Sequence, residues 1–365
     1  MARELAKLAN VRIFCIDPAY PRFRALQPGS FPHRDSEASH RMPDLEVEYL
    51  RYPAIRFISR PLNGYACGRA LLPRLRDFSP TVVLAFFLYP EGFGAVTAGH
   101  KLGVPVVVGA LGSDLCCIEG RFLKKAAQRT LGKAAFAIAV SEDLRRRAIA
   151  CGIPPEKCKT IRNGCDHSIF HPSDREGART ELGLNPNDAI VVFTGHLIPL
   201  KGIRELVVAA SILLRRRPNL RVVCIGEGPL GGELLRRASD PHLKGRISFL
   251  GAMDAAKIAR WIAAADVFCL PSYSEGCPNA VIEALACGRP VVASNVGGVP
   301  ELVSHQTGIL VRAGDVEHLA RGLAEALDRN WSPEALSLTA QRTWGQVASE
   351  INAVCRAVAQ SGLTV

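Results

Sequence analysis

PSYSEGCPNAVIEALACGRPVVASNVGGVPE, residues 271–301, decides how this chain is read. It sets two carboxylates, Glu275 and Glu283, with seven residues between them, around a Gly-Cys-Pro-Asn turn, and it ends in a Gly-Gly loop. The apolar run Val267–Leu270 just before it reads as a buried strand, and a helix is expected from about Asn279. Open α/β sheets bind ligands at the carboxyl ends of their strands, which is where Glu275 falls. The first turn of a helix carries free N–H groups that hold anions. Glu283 lies one turn further on, roughly 6 Å along a helix rising ~1.5 Å per residue. One carboxylate is thus placed for one end of a phosphate-bearing ligand, and the other for a hydroxyl-bearing part. The plain alternative is two solvated glutamates among ordinary turns.

Outward from this stretch, strands and helices alternate, which indicates an α/β chain with parallel sheets. Early strands are expected at Val11–Ile16, Val82–Phe87, Val104–Val108 and Phe136–Val140, with helices at Gly94–Leu102 and Arg121–Leu131. A second set of strands runs through Ala189–Thr194, Arg221–Gly226, Ile247–Leu250, Val267–Leu270, Pro290–Ser294 and Gly308–Val311. Pro172, Ser173, Asp174 and Gly177 make 166–184 read as a linker. Two doubly wound domains facing a cleft follow, at 1–170 and 171–331, with an amphipathic C-terminal segment at 332–365.

The quoted stretch resembles the E-x7-E signature of the family-4 retaining glycosyltransferases, which have the GT-B fold. Gly195-His-Leu-Ile-Pro-Leu-Lys-Gly202 is similar to the family's phosphate-binding loop, and Val223-Cys-Ile-Gly-Glu-Gly-Pro229 and Phe249-Leu-Gly251 to its nucleotide-side turns. Ile161-Arg-Asn-Gly-Cys-Asp-His-Ser-Ile-Phe-His-Pro172 resembles the end of its first domain. Leu88-Tyr-Pro-Glu-Gly92 and Gly112-Ser-Asp114 look most like the branch that builds teichuronic-acid-type and other bacterial surface polysaccharides.

The resemblance implies a donor sugar on a UDP or GDP diphosphate, and a glycan or lipid-linked acceptor. It makes Lys201 the cation for the departing diphosphate, whose growing charge calls for aimed donors. His196 stands where the family usually has arginine, and it can still donate a hydrogen bond. Glu275 would face the donor sugar and Glu283 the ribose. Gly276 and Cys277 offer backbone N–H groups, and Asn279 opens the helix. Gly195, Gly226, Glu227, Gly228 and Gly251 line the nucleotide's path or serve only as turns. Gly112, Ser113 and Asp114 are acceptor-side candidates, with Asp114 positioning the acceptor or ordering its loop. Phe86 and Leu111 occupy places where relatives carry histidine, so no general base is assigned. The family's retaining reaction uses no metal and no cofactor, and the leaving phosphate takes the acceptor's proton. The resemblance also implies that Arg3–Leu8 is the family's first helix and Val11–Ile16 its second strand, so that the central strand of the first sheet is missing. The C-terminal helix is expected to return to the first domain.

Charge and composition narrow the partners. Net charge is +11, with 27 basic and 17 acidic residues in 1–180 against 18 and 17 in the remainder. The basic spots include Lys124-Lys125 and Arg145-Arg146-Arg147. An anionic membrane face or lipid diphosphate suits this bias, or else these are solvated faces. No nucleic-acid motif is present. The twelve cysteines include no C-x-x-C pair, and Cys151, Cys158 and Cys165 are too widely spaced for a zinc site. Reduced thiols in a cytosolic protein at the inner face of the membrane are expected.

Two other functions compete with this reading. Gly226-Glu-Gly228-Pro-Leu-Gly231 formally fits a dinucleotide fingerprint, but it sits midway in its strand set and lacks the acidic residue downstream. That counts against an NAD(P)-dependent oxidoreductase. A non-catalytic glycosyltransferase-like scaffold subunit is the other alternative.

Overall fold

The structure is a computed structural model that describes residues 1–20, 45–55, 58–116 and 120–361. The side chain of Ser113, one of the acceptor-side candidates, lies outside the described residues. The chain forms two units, Met1–Arg162 with Trp344–Val365, and Asn163–Thr343. Residues 163–170 therefore belong with the second unit, as does the segment from Ser332 to Thr343.

In the first unit, α1 (Ala2–Ala6) leads into β1 (Ile13–Ala19), which pairs in parallel with β2 (Val47–Pro53). Helix α2 (Asn63–Phe78) then leads to β3 (Val83–Phe86), α3 (Phe93–Leu102), β4 (Val106–Ala110) and the short α4 (Ser113–Cys116). α5 (Arg121–Lys133), β5 (Phe136–Ala139), α6 (Glu142–Ala150) and β6 (Cys158–Thr160) follow. β3 to β6 form a parallel sheet in chain order, separate from the β1–β2 pair. Among the described residues no strand pairs with the second edge of β1 or of β3. Val107, Ala135, Ile138 and Ile161 pack on Val347, Ile351, Val354 and Val358 of the last helix, which places that helix in this unit.

The second unit continues with α7 (Arg175–Glu181), β7 (Ala189–Thr194), α8 (Ile203–Leu214), β8 (Leu220–Ile225), α9 (Gly231–Ala238) and β9 (Ile247–Phe249). Then come α10 (Ala255–Ala264), β10 (Val267–Leu270), α11 (Asn279–Ala286), β11 (Val291–Ser294), β12 (Gly308–Val311), α12 (Val316–Asp328) and α13 (Pro333–Leu338). α14 (Trp344–Gln360) is the helix that belongs to the first unit. One six-stranded parallel sheet runs β12-β11-β10-β7-β8-β9. Its inner strands are continuous apolar runs because helices cover both faces. Asp254, Asp315 and Ser332 cap their helices by accepting the N–H of Lys257, His318 and Ala335.

The expected linker is a correction. Asp174 accepts the N–H groups of Glu176 and Gly177, each at 3.0 Å, and so starts α7 inside 166–184. The amphipathic C-terminal segment is also two helices, broken at 339–343, where Thr343 bridges to Cys165.

Candidate active site

The second sheet grows outward in both directions from the neighbouring strands β7 and β10. Such a reversal opens a crevice at the strands' carboxyl ends. The loops carrying Lys201 and Glu275 leave β7 and β10, one from each side of that reversal.

These two loops are bound to each other by main chain. The N–H of Tyr273 donates to the carbonyl of Leu200 at 2.8 Å. Gly202 has φ +65, and a Cβ there would stand 1.9 Å from the Pro271 carbonyl oxygen. Only glycine permits both the left-handed backbone and the close approach. On the far side, Gly297 (φ +52) would place a Cβ 1.9 Å from the carbonyl oxygen of Glu275. Gly297 is therefore required by the close packing of its own loop.

Within this frame the Lys201 ammonium lies 2.7 Å from Glu275 Oε1, and the Ser272 hydroxyl donates to the same oxygen at 2.6 Å. Glu275 is 9% exposed, and its Oε2 has no hydrogen-bond partner among the described residues. The arrangement leaves one carboxylate oxygen for a ligand and fixes the other. Ser272 was not singled out from sequence. Its place three residues before Glu275, at the end of β10, was the available signal.

Glu283 is separate from that cluster in its chemistry. It lies one turn into α11, and its carboxyl makes no ion pair or hydrogen bond with a described residue. Burial pushes its carboxyl up from 4.5 to about 7. The Cys165 thiol is raised to about 12, first by burial and then by the charge of Glu283. The start of α11 has no side-chain cap. Asn163 Nδ2 donates to the Cys277 carbonyl at 3.1 Å and to Asn279 Oδ1 at 2.8 Å, which anchors the turn before the helix. Gly276 and Cys277 are both buried in that turn.

The other nucleotide-side candidates have mainly structural work. A Cβ on Gly226 would lie 1.9 Å from the Gly195 carbonyl oxygen, and one on Gly228 would lie 2.4 Å from that of Leu197. Gly226 donates to the Gly251 carbonyl at 2.8 Å. Glu227 is exposed and accepts the Ala252 N–H at 3.4 Å. His196 is exposed, and its ring makes no hydrogen bond with a described residue.

In the first unit, Asp114 orders its loop. Its carboxylate accepts the N–H groups of Gly112 at 2.8 Å, Leu111 at 3.1 Å and Leu88 at 3.3 Å. Burial raises its pKa, and these backbone donors offset only part of the rise. Gly112 takes φ +146 to make the turn. Burial, then Asp114 and Asp17, raise the pKa of Glu91 in the neighbouring turn.

The model of the glycosyl transferase 4-like domain matches residues 1–164, and that of the glycosyl transferases group 1 matches residues 188–329. The chain belongs to this glycosyltransferase family. The putative teichuronic acid biosynthesis glycosyltransferase TuaC of Bacillus subtilis is 29% identical over 91% of this chain and 85% of its own length. The D-inositol 3-phosphate glycosyltransferase of Rhodococcus opacus is 36% identical over 52% of this chain. The match spans only 45% of that relative, about half its length. Anabaena HepE, solved in complex with UDP, superposes with a TM-score of 0.68 at 23% identity, covering 87% of this chain and 86% of HepE. Sucrose-phosphate synthase from Thermosynechococcus elongatus gives 0.76 at 20% identity, covering 98% and 92%. The fold is GT-B, with parallel sheets flanked by helices in both units.

Proposed function

We propose that this family member is an active, retaining, metal-independent glycosyltransferase. It moves a hexose-type sugar from a UDP- or GDP-sugar to a glycan or lipid-linked acceptor in bacterial surface polysaccharide synthesis. The observation that carries the reading is the Lys201–Glu275–Ser272 cluster, held at the sheet's reversal point by loops that only glycine can build. The Lys201 ammonium counters the charge that grows on the departing diphosphate. Glu275 Oε2 accepts from a donor-sugar hydroxyl, Glu283 accepts from the ribose, and His196 donates to phosphate. The leaving phosphate takes the acceptor's proton, so no protein base is required. Uridine is favoured by the UDP and UDP-glucose complexes of HepE. The likeness to TuaC supports a surface-polysaccharide acceptor.

No helix among the described residues is long and apolar enough to cross a membrane. The basic first half is read as the side that meets an anionic membrane at the cytoplasmic face.

The test is nucleotide diphosphate release across a panel of nucleotide sugars, with binding followed by thermal shift. Donor-dependent release that Glu275→Ala abolishes supports the enzyme. Binding without turnover for every donor and acceptor would assign the chain to the scaffold class instead.

A further inference from the structure

We infer that the second unit carries a phosphate-binding site at the amino ends of β10 and β11, formed by Arg289, Arg175 and Arg179 around Asp266. Asp266 directly precedes β10, Arg289 stands two residues before β11, and α7 supplies the other two arginines. β10 and β11 are neighbours in the sheet. Lys201 and Glu275 follow the carboxyl ends of β7 and β10, so the two sites lie at opposite ends of the strands. They are separated by roughly 15 Å along β10, at ~3.3 Å per residue.

Both oxygens of the Asp266 carboxylate are already engaged. Oδ1 accepts from Arg175 at 2.8 Å, and Oδ2 accepts from Arg179 and from the Ile190 N–H, each at 2.7 Å. Arg179 is 5% exposed, and its other nitrogens donate to the carbonyls of Ala264 at 3.0 Å and Pro186 at 2.7 Å. Arg289 has no such partner. It is 6% exposed, its Nε is enclosed without a hydrogen bond, and its guanidinium forms no ion pair with a described residue. The nearby Cys287 supplies no counter-charge, because burial above all raises its thiol to about 12 and keeps it neutral. Burial, then the charge of Arg175, lowers the pKa of Arg289, yet a guanidinium stays charged near neutral pH. Three cations thus surround one anion. Buried charges are ordinarily paired, and a guanidinium fork matches the oxygens of a phosphoryl group. Arg175 is half-exposed, and its Nε and Nη2 bond no described residue. It opens the group to solvent and Arg289 closes it from within. With one guanidinium enclosed, the site suits a small phosphate-bearing molecule rather than a polyanion.

The inference goes beyond the transfer reaction proposed above. Its test involves no sugar donor, so either can fail without the other. Thermal unfolding of the full chain is followed with inorganic phosphate and with methyl phosphate, sodium chloride holding the ionic strength constant. An anion that binds the folded state raises Tm with its concentration. Phosphate should raise the Tm of the parent, and of Lys201→Ala equally, because the donor-side loop takes no part. Arg289→Gln and Arg175→Gln should each need roughly tenfold more phosphate for the same rise. Arg215→Gln, exposed at the end of α8, should respond like the parent. Circular dichroism establishes that each variant is folded, and should Arg289→Gln fail to fold, the half-exposed Arg175 decides alone. A larger response to methyl phosphate identifies a phosphomonoester as the ligand, and an equal one identifies the phosphoryl group itself. The inference is overturned if phosphate raises the parent's Tm no more than chloride does, if a folded Arg289→Gln or Arg175→Gln responds like the parent, or if Lys201→Ala abolishes the rise.

Discussion

The second unit joins six parallel strands into one sheet, whereas the first divides its six described strands between a pair and a group of four. The side chains follow the same division. β10 and β11 are buried at every position, but no residue of β1 is. In the second unit the strands are enclosed on both faces, and their carboxyl-end loops are clamped together by main-chain contacts. In the first unit β1 and β3 each have one edge without a described partner. The unit with the single continuous sheet is also the one that holds the Lys201–Glu275 pair. A site that depends on bonds of about 2.7 Å needs neighbours that cannot yield.

Changes in the clamped site should therefore cost the most. Lys201→Ala and Glu275→Ala are each expected to lower turnover by roughly 10²–10³-fold, the scale seen when one charge-stabilising group is lost. The double variant should fall little further, because the two act as one unit. Steady-state kinetics of all three variants checks this, and multiplying losses would refute the coupling. Asp114→Asn in the first unit should change stability by only about 1–2 kcal/mol, since an amide oxygen still accepts part of what the carboxylate does.

Two glycines with the same backbone angle allow a cleaner contrast. Gly202 (φ +65) faces the Pro271 carbonyl, and Gly103 (φ +68) faces open space. Alanine at Gly103 should cost about 1 kcal/mol for the left-handed conformation alone. Alanine at Gly202 should cost about 3–4 kcal/mol or more, because the carbonyl must also move. Urea unfolding of both variants measures the difference, and equal costs would mean that the second unit's loops are as free as the first's.

A smaller effect should appear in the pH dependence. Burial raises Glu283 from 4.5 to about 7. Between these values the folded chain keeps a proton that the unfolded chain has released, so stability falls as pH rises through the window. Below the lower value the stability is fully present, and above the upper one the loss has levelled off at on the order of 2–3 kcal/mol. Glu283→Gln removes this dependence, so its advantage over the parent should grow between about pH 5 and about pH 8. Unfolding curves at the two pH values decide the matter, and parallel curves would show that the acid is better solvated than its setting implies. The smallest expected change is in stability on His196→Gln, within about 0.5 kcal/mol, because the ring is exposed.

Much of the second unit was legible because parallel strands enclosed on both faces read as unbroken apolar runs. Ala189–Thr194 and Val267–Leu270 were read at the limits the structure gives. The Lys201–Glu275 contact is not a local signal. It joins residues 74 apart in sequence, and only the family resemblance, through the E-x7-E stretch and the Gly195–Gly202 loop together, places both in one site. The missed helix α7 shows the opposite weakness. Its breaker residues are real, but one of them, Asp174, caps the helix, and a local hydrogen bond outweighs composition. Ser272 went unnoticed because a serine after a strand has no pattern until its hydroxyl is seen to reach Glu275.

The interlocked glycines bear on how such a protein diversifies. At Gly202, Gly226 and Gly297 an added methyl would meet a carbonyl oxygen on a neighbouring loop at 1.9 Å. Selection, natural or in the laboratory, then has little freedom to reshape these loops singly. Under the proposed function, new donor preferences are most accessible through the side chains suspended between the fixed points, at His196 and Cys277, where exchange alters chemistry and leaves the scaffold's path intact.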